Sequence, residues 1–176
     1  MNAGTSFLSD NSLNSFSATE NLQSARAGCS SFVFNSKLYI LGGYHNTELN
    51  TGEYADIKSN GALTNLQSTG LLPDKLTDFS ISVSGSIIYL SGGFNGKIYS
   101  DKIYYTTISL NGEIGIWEEA GTFNTGLCGH ASIIYNGYLY IIAGKYEKNS
   151  SEYYLYDTQM AEIQSDHTLS DFVYSF

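Results

Sequence analysis

At 176 residues the chain can bury one ordinary domain core. Eight Lys and Arg against 17 Asp and Glu leave a net charge of -9, which repels phosphate backbones and argues against a nucleic-acid partner. No apolar run approaches the roughly 18 residues that a membrane helix needs, so no membrane insertion is expected. Met1–Asp10 shows no basic stretch leading into an apolar core, so no signal peptide is legible. The compartment stays undecided, with an extracellular or cell-surface setting slightly favoured.

Fifteen Tyr, 18 Gly and a single Pro favour strands and tight turns over helices. Taken in chain order, residues 1–17 read as a hairpin, with Asp10-Asn11 at its turn and Phe16 as an apolar anchor. A first complete unit spans 18–66. Its strand a covers Gly28–Phe34, and an Asn35-Ser36 turn leads into strand b, which ends at Tyr39-Ile40-Leu41-Gly42-Gly43. A loop precedes strand c at Glu53–Ser59. Asn60-Gly61 then turns into strand d, which carries the anchor Leu66.

A second unit, 67–117, repeats the pattern with strand a at Phe79–Val83, Ser84-Gly85, Tyr89 followed by Gly92-Gly93, strand c at Lys102–Leu110, Asn111-Gly112 and the anchor Trp117. A third, 118–176, has strand a at Ala131–Tyr135, Asn136-Gly137, Tyr140 followed by Ala143-Gly144, strand c at Tyr153–Ser165, Asp166-His167 and the anchor Phe172. The tyrosines fall 50 and 51 residues apart, and each lies 23 residues after the preceding anchor. Asn-Gly between alternating segments predicts type I′ hairpin turns, with positive φ at both central residues.

Four antiparallel strands in about 50 residues make a propeller blade. The expected fold is all-β: a segment of four-stranded blades forming an incomplete ring. Tyr39, Tyr89 and Tyr140 are expected between blades with their hydroxyls on backbone partners. The glycines Gly42, Gly43, Gly92, Gly93 and Gly144 permit backbone angles or close approach that a side chain would block.

The Tyr-x-x-Gly-Gly pair, its period and the downstream aromatic anchor resemble the kelch-repeat β-propeller of the galactose oxidase superfamily. Arg26-Ala27-Gly28 resembles the Arg-x-Gly-His that opens strand a in that family, and the third unit keeps Gly129-His130. The match departs where Arg26 becomes Leu76 and Leu127, and where Gly42 becomes Ala143. Propellers close with about four to eight blades. The ring is therefore expected to be completed by further blades of the same protein, or by other copies covering the open ends.

Length variation points to the binding face. From Gly43, Gly93 and Gly144 to the strand-c marks Ile57, Ile108 and Ile163 the counts are 14, 15 and 19, whereas both turn types stay tight. Insertions gathered on one face of a repeat protein mark its binding side. The b–c loops offer Tyr44, His45 and Glu48, then Phe94, Lys97 and Tyr99, then Lys145 and Tyr146. The d–a connections, on the same face, add Arg26, Asp78 and His130.

No catalytic group, metal site or cofactor is assigned: the three histidines occupy different repeat slots, and no His-x-x-x-His or Cys-x-x-Cys spacing occurs. Cys29 and Cys128 belong to non-neighbouring units and are expected as free, partly buried thiols. Glu147–Tyr156 reads as an extended loop, with a sequon at Asn149-Ser150-Ser151. The expected role is a non-catalytic binding or scaffold module for a protein or carbohydrate. Two alternatives stand beside it: part of a kelch-type sugar oxidase or epimerase with its catalytic groups in other blades, and a structural repeat of a surface or appendage protein.

Overall fold

Alternating apolar residues and tight turns give the described residues three four-stranded antiparallel sheets and two two-stranded ribbons. The computed structural model describes residues 18–174, so the hairpin expected at 1–17 lies outside the described residues. The first blade holds β1 (Ser30–Phe34) and β2 (Lys37–Leu41), a small ribbon of β3 (Tyr44–His45) and β4 (Thr47–Glu48), then β5 (Gly52–Ile57) and β6 (Leu63–Thr69). The second holds β7 (Ser80–Ser84), β8 (Ile87–Ser91), β9 (Lys102–Thr107) and β10 (Glu118–Thr122). The third holds β11 (Ala131–Tyr135) and β12 (Tyr138–Ile142), a ribbon of β13 (Lys145–Lys148) and β14 (Ser151–Tyr154), then β15 (Thr158–Glu162) and β16 (Val173–Tyr174). No helix occurs among the described residues.

Three details depart from the sequence reading. First, the c–d turns are three-residue loops. Gly61 donates to the Lys58 carbonyl and Lys58 to that of Ala62; Ser109–Glu113 and Gln164–Thr168 repeat the pair. Positive φ falls on the third loop residue, Gly61 (+82°), Gly112 (+95°) and His167 (+69°). This is a type I turn closed by a left-handed residue, which also matches strand twist. Second, Trp117 and Phe172 stand just before β10 and β16, not within them. They still work as anchors: the Trp117 indole donates to the Leu71 carbonyl, and Phe172 packs on Phe123. Third, strand c of the third blade starts at Thr158, because Tyr153-Tyr154 belong to the ribbon β13–β14, whose Asn149-Ser150 turn has positive φ at both residues.

The blades are joined by one set of bonds made twice. The Tyr39 hydroxyl donates to the Gly112 carbonyl (2.9 Å), and the Tyr89 hydroxyl to that of His167 (3.0 Å). The Gly43 amide donates to the Leu76 carbonyl and the Gly93 amide to that of Leu127, both at 2.8 Å. At the inner edge, the Asp78 amide donates to the Gly28 carbonyl and the Gly129 amide to that of Asp78. Burial pushes the Tyr39 and Tyr89 hydroxyls up to about 12, so both remain donors at any ordinary pH. Around these bonds Tyr39, Ile88, Ile108 and Trp117 fill the first junction, and Tyr89, Ile103, Leu139, Ile141 and Phe172 fill the second. The close approach explains the first glycine of each pair: a Cβ on Gly42 would stand 2.5 Å from Phe79 Cε1 and 2.7 Å from the Leu76 carbonyl.

Candidate functional site

The b–c loops and d–a connections meet at one end of the blades. Ala27 bridges to Tyr44, Thr77 to Phe94 and Cys128 to Lys145, each time joining the start of a b–c loop to the connection that enters strand a. Successive blades also touch there: the Leu76 amide donates to the Leu49 carbonyl, and the Leu127 amide to that of Ser100. These backbone bonds pin the b–c loops to the connections beside them.

Across the first two blades, Tyr44 is 47% exposed and His45 is exposed, while Glu48 lies against Gly96 of the second blade. Phe94 and Tyr99 pack edge to face at 5.5 Å. Lys97 stands beside a small recess of about 190 Å³, lined also by Ile98, Tyr99, Gly126 and Glu147.

The second and third blades share a polar cluster. The Tyr99 hydroxyl donates to the Glu152 carboxylate, which also holds Lys145 Nζ at 2.7 Å. That ammonium lies 5.5 Å from the centre of the Tyr99 ring. The Glu152 hydrogen bond raises the Tyr99 pKa and, foremost among several causes, that of Lys145; the Lys145 hydrogen bond lowers that of Glu152. Beneath it, burial pushes the Cys128 thiol up to about 11. Both cysteines are free; Cys128 is buried, whereas Cys29 is exposed.

Next to this cluster opens a cavity of about 460 Å³. One wall is the second blade's exit, Phe123 to Leu127, and the other is the ribbon with Tyr146, Leu155, Asp157 and Gln159. Tyr146 is stacked on Tyr153 at 5.3 Å, which stiffens it. Asp157 Oδ1 is buried with no hydrogen-bond partner. Such an oxygen costs free energy unless something donates to it. Sequence reasoning missed Glu152, Asp157 and the ribbon itself. The signal was there: Asn-Ser between Lys-Tyr-Glu-Lys and Ser-Glu-Tyr-Tyr is a two-residue hairpin.

Two expected surface residues are interior ones. The Arg26 side chain is fully buried; it donates to the Gly42 and Thr51 carbonyls and pairs with Glu53 at 2.8 Å. His130 is 8% exposed between the second and third blades, with Nε2 at 2.8 Å from Ser91 Oγ and its ring edge-on to Phe123. Burial pulls its pKa down to about 4, so it is neutral at pH 7. Asp78 stays exposed, but its role in the structure is the backbone link at the inner edge. Among the described residues, no group of three or more His, Cys, Asp or Glu is placed to hold a metal ion.

No curated protein matches the chain. A Kelch motif matches residues 25–60, which run from the Arg26 entry through β5 to the first c–d turn. Among solved structures, YjhT superposes with a TM-score of 0.65 at 19% identity, over 87% of this chain and 47% of that one. This chain therefore spans about half the length of YjhT. With its matched motif, repeated junction and four-stranded antiparallel sheets, the chain has the fold of a kelch-repeat β-propeller.

Proposed function

We propose that the chain is a non-catalytic binding module whose ligand sits on the b–c and d–a loop face, in the cavity between Phe123–Leu127 and the β13–β14 ribbon. The kelch propeller is a fold of binding and scaffold modules, and a volume of about 460 Å³ is in the range of small-molecule sites. The observation that carries the reading is the Asp157 carboxylate in the lining of this cavity, together with the braced ring of Tyr146. A hydroxyl-rich ligand would donate to the carboxylate that Asp157 brings to this lining, and an aromatic face packs on the apolar side of a sugar ring. Gln159 adds an amide group on the side of Asp157, and Asn124 one on the facing wall. The ligand class is therefore a carbohydrate.

A protein partner is the second reading, supported by Tyr44, Leu71 and Ile98, which are 47%, 59% and 64% exposed in the same loops. Titration calorimetry against a panel of neutral mono- and oligosaccharides tests the first. Binding of at least one sugar is expected, weakened tenfold or more in Asp157→Asn and Tyr146→Ala. Failure of every sugar to bind, or binding indifferent to both changes, would remove the carbohydrate reading.

A further inference from the structure

The β13–β14 ribbon lies outside the four-stranded sheet of its blade. Backbone bonds tie its base: Cys128 and Lys145 bond to each other in both directions, and the Leu155 amide donates to the Gly144 carbonyl. Towards the Asn149-Ser150 turn, Glu147 and Lys148 of β13 and every residue of β14 are exposed. A two-stranded hairpin with so little apolar burial is marginal by itself. Its position therefore depends on what ties it to the blades.

Glu152 supplies such a tie at the middle of the ribbon. Its carboxylate accepts from the Tyr99 hydroxyl, which belongs to the b–c loop of the second blade, and from Lys145 Nζ of its own ribbon at 2.7 Å. One carboxylate thus receives a donor from each side of the gap between two blades. The Lys145 ammonium also lies 5.5 Å from the centre of the Tyr99 ring, which adds an attraction across the same gap. The Tyr99 end of the link is braced in turn. Its ring meets Phe94 edge to face, and its carbonyl is so close to the blade's exit that a Cβ on Gly126 would stand 1.9 Å away.

The ribbon carries this hold into the cavity. Glu152 pairs across it with Glu147, and Tyr153 with Tyr146. Tyr146, Glu147 and Lys148 line the cavity opposite Phe123–Leu127. Holding Glu152 therefore holds β13 at its distance from the second blade's exit.

We propose that Glu152 is the positioning residue of this cavity: by accepting from Tyr99 and Lys145 it fixes the ribbon wall against which a ligand packs. The consequence for binding rests on the carbohydrate reading of the cavity, whereas the link itself does not. Tyr99 and Lys145, which the sequence marks as ligand contacts, then serve to hold the wall.

Hydrogen exchange, read by mass spectrometry on the 176-residue chain, tests the link without a ligand. Tyr99→Phe keeps the ring and removes the donor, and Glu152→Ala removes the acceptor. Each is expected to speed exchange of the β13–β14 amides by about threefold to tenfold, a modest effect because Lys145 and Glu152 are partly exposed. Amides of β11, β12 and β15 are expected to exchange as in the wild type. The double variant is expected to exchange no faster than Glu152→Ala, because both changes break one link. Unchanged ribbon exchange in both single variants, or faster exchange spread through the sheet, would overturn the proposal. The sugar that binds the wild type most tightly is then titrated into the same variants by calorimetry. Binding about threefold weaker or more is expected, because a loose wall must be ordered on binding. A loosened ribbon with undiminished sugar binding would also overturn the proposal. If no sugar binds the wild type, the carbohydrate reading falls, and the exchange data alone decide whether Glu152 holds the wall.

Discussion

His130 shows how one slot changes character with its neighbours. The same position is Cys29 in the first blade and Phe79 in the second, so it is a packing position and not a site. The unfolded imidazole takes up a proton near pH 6.5, and the folded one only near 4. Between those values the unfolded state binds more protons, so stability falls as pH drops through this window. The loss at pH 4 is on the order of 1–3 kcal/mol. Replacing His130 by Phe, the residue of the second blade, should remove this step, at a pH-independent cost of about 1–3 kcal/mol from the buried Ser91 hydroxyl left without its partner. Denaturant midpoints of wild type and variant at pH 7 and pH 4.5 measure it, the difference cancelling the carboxylates common to both. Identical acid sensitivity in the two proteins would show that His130 is not the group responsible.

Among the elements, the first blade is distinguished by how its strands are tied at the entry. Glu53 on β5 accepts from the Gln23 and Ser24 amides and from Arg26, so the segment entering β1 is fastened to strand c by a buried ion pair. The other blades fill the Arg26 slot with Leu76 and Leu127, at 1% and 2% exposure. Breaking a buried pair leaves an uncompensated charge and costs about 3–5 kcal/mol, whereas replacing both partners is often neutral. Arg26→Leu is therefore expected to lower stability by about 3 kcal/mol. Arg26→Leu with Glu53→Gln, the combination found as Leu127 and Gln159 in the third blade, should recover most of it. Thermal melts of the single and double variants decide, and a double variant no more stable than the single one would contradict this account. The turns make the complementary point. Asn60-Gly61 and Asn111-Gly112 mark hairpins from sequence alone, but their type is set by the bonds from Gly61 to Lys58 and from Gly112 to Ser109. His167 shows that the slot needs a left-handed residue, not Gly itself.

For the whole molecule, charge and shape act against each other. Each chain carries a net charge of -9, while the face of the third blade is apolar. Bringing two such chains together costs repulsion that salt screens; the Debye length is about 10 Å at 0.1 M and about 3 Å at 1 M. Any association of wild-type chains through this face is therefore expected to strengthen severalfold between about 0.05 and about 0.5 M sodium chloride, because the Debye length shortens about threefold. Sedimentation at both salt concentrations checks this. Weakening with salt would mean that ion pairs, and not apolar burial with backbone hydrogen bonds, hold the copies together.

By itself the sequence determined the blade. A 50-residue period, a fixed spacing of 23 from anchor to tyrosine and paired glycines demand repeated hairpins, because strand alternation, turn chemistry and positive φ are local properties of a few neighbouring residues. It also placed the variable loops on one face, since connection lengths can be counted along the chain. What only the tertiary structure decided is which residues of that face are exposed and which are buried. Arg26 and His130 lie in the same connections as exposed Asp78, and nothing local distinguishes them. Their burial comes from Glu53, 27 residues away, and from Ser91, 39 residues away. The cavity at Asp157 likewise exists only because the second blade's exit and the third blade's ribbon are brought side by side. The partners of Tyr39 and Tyr89 lie 73 and 78 residues further on, in the next blade, a distance over which no turn or alternation rule carries information.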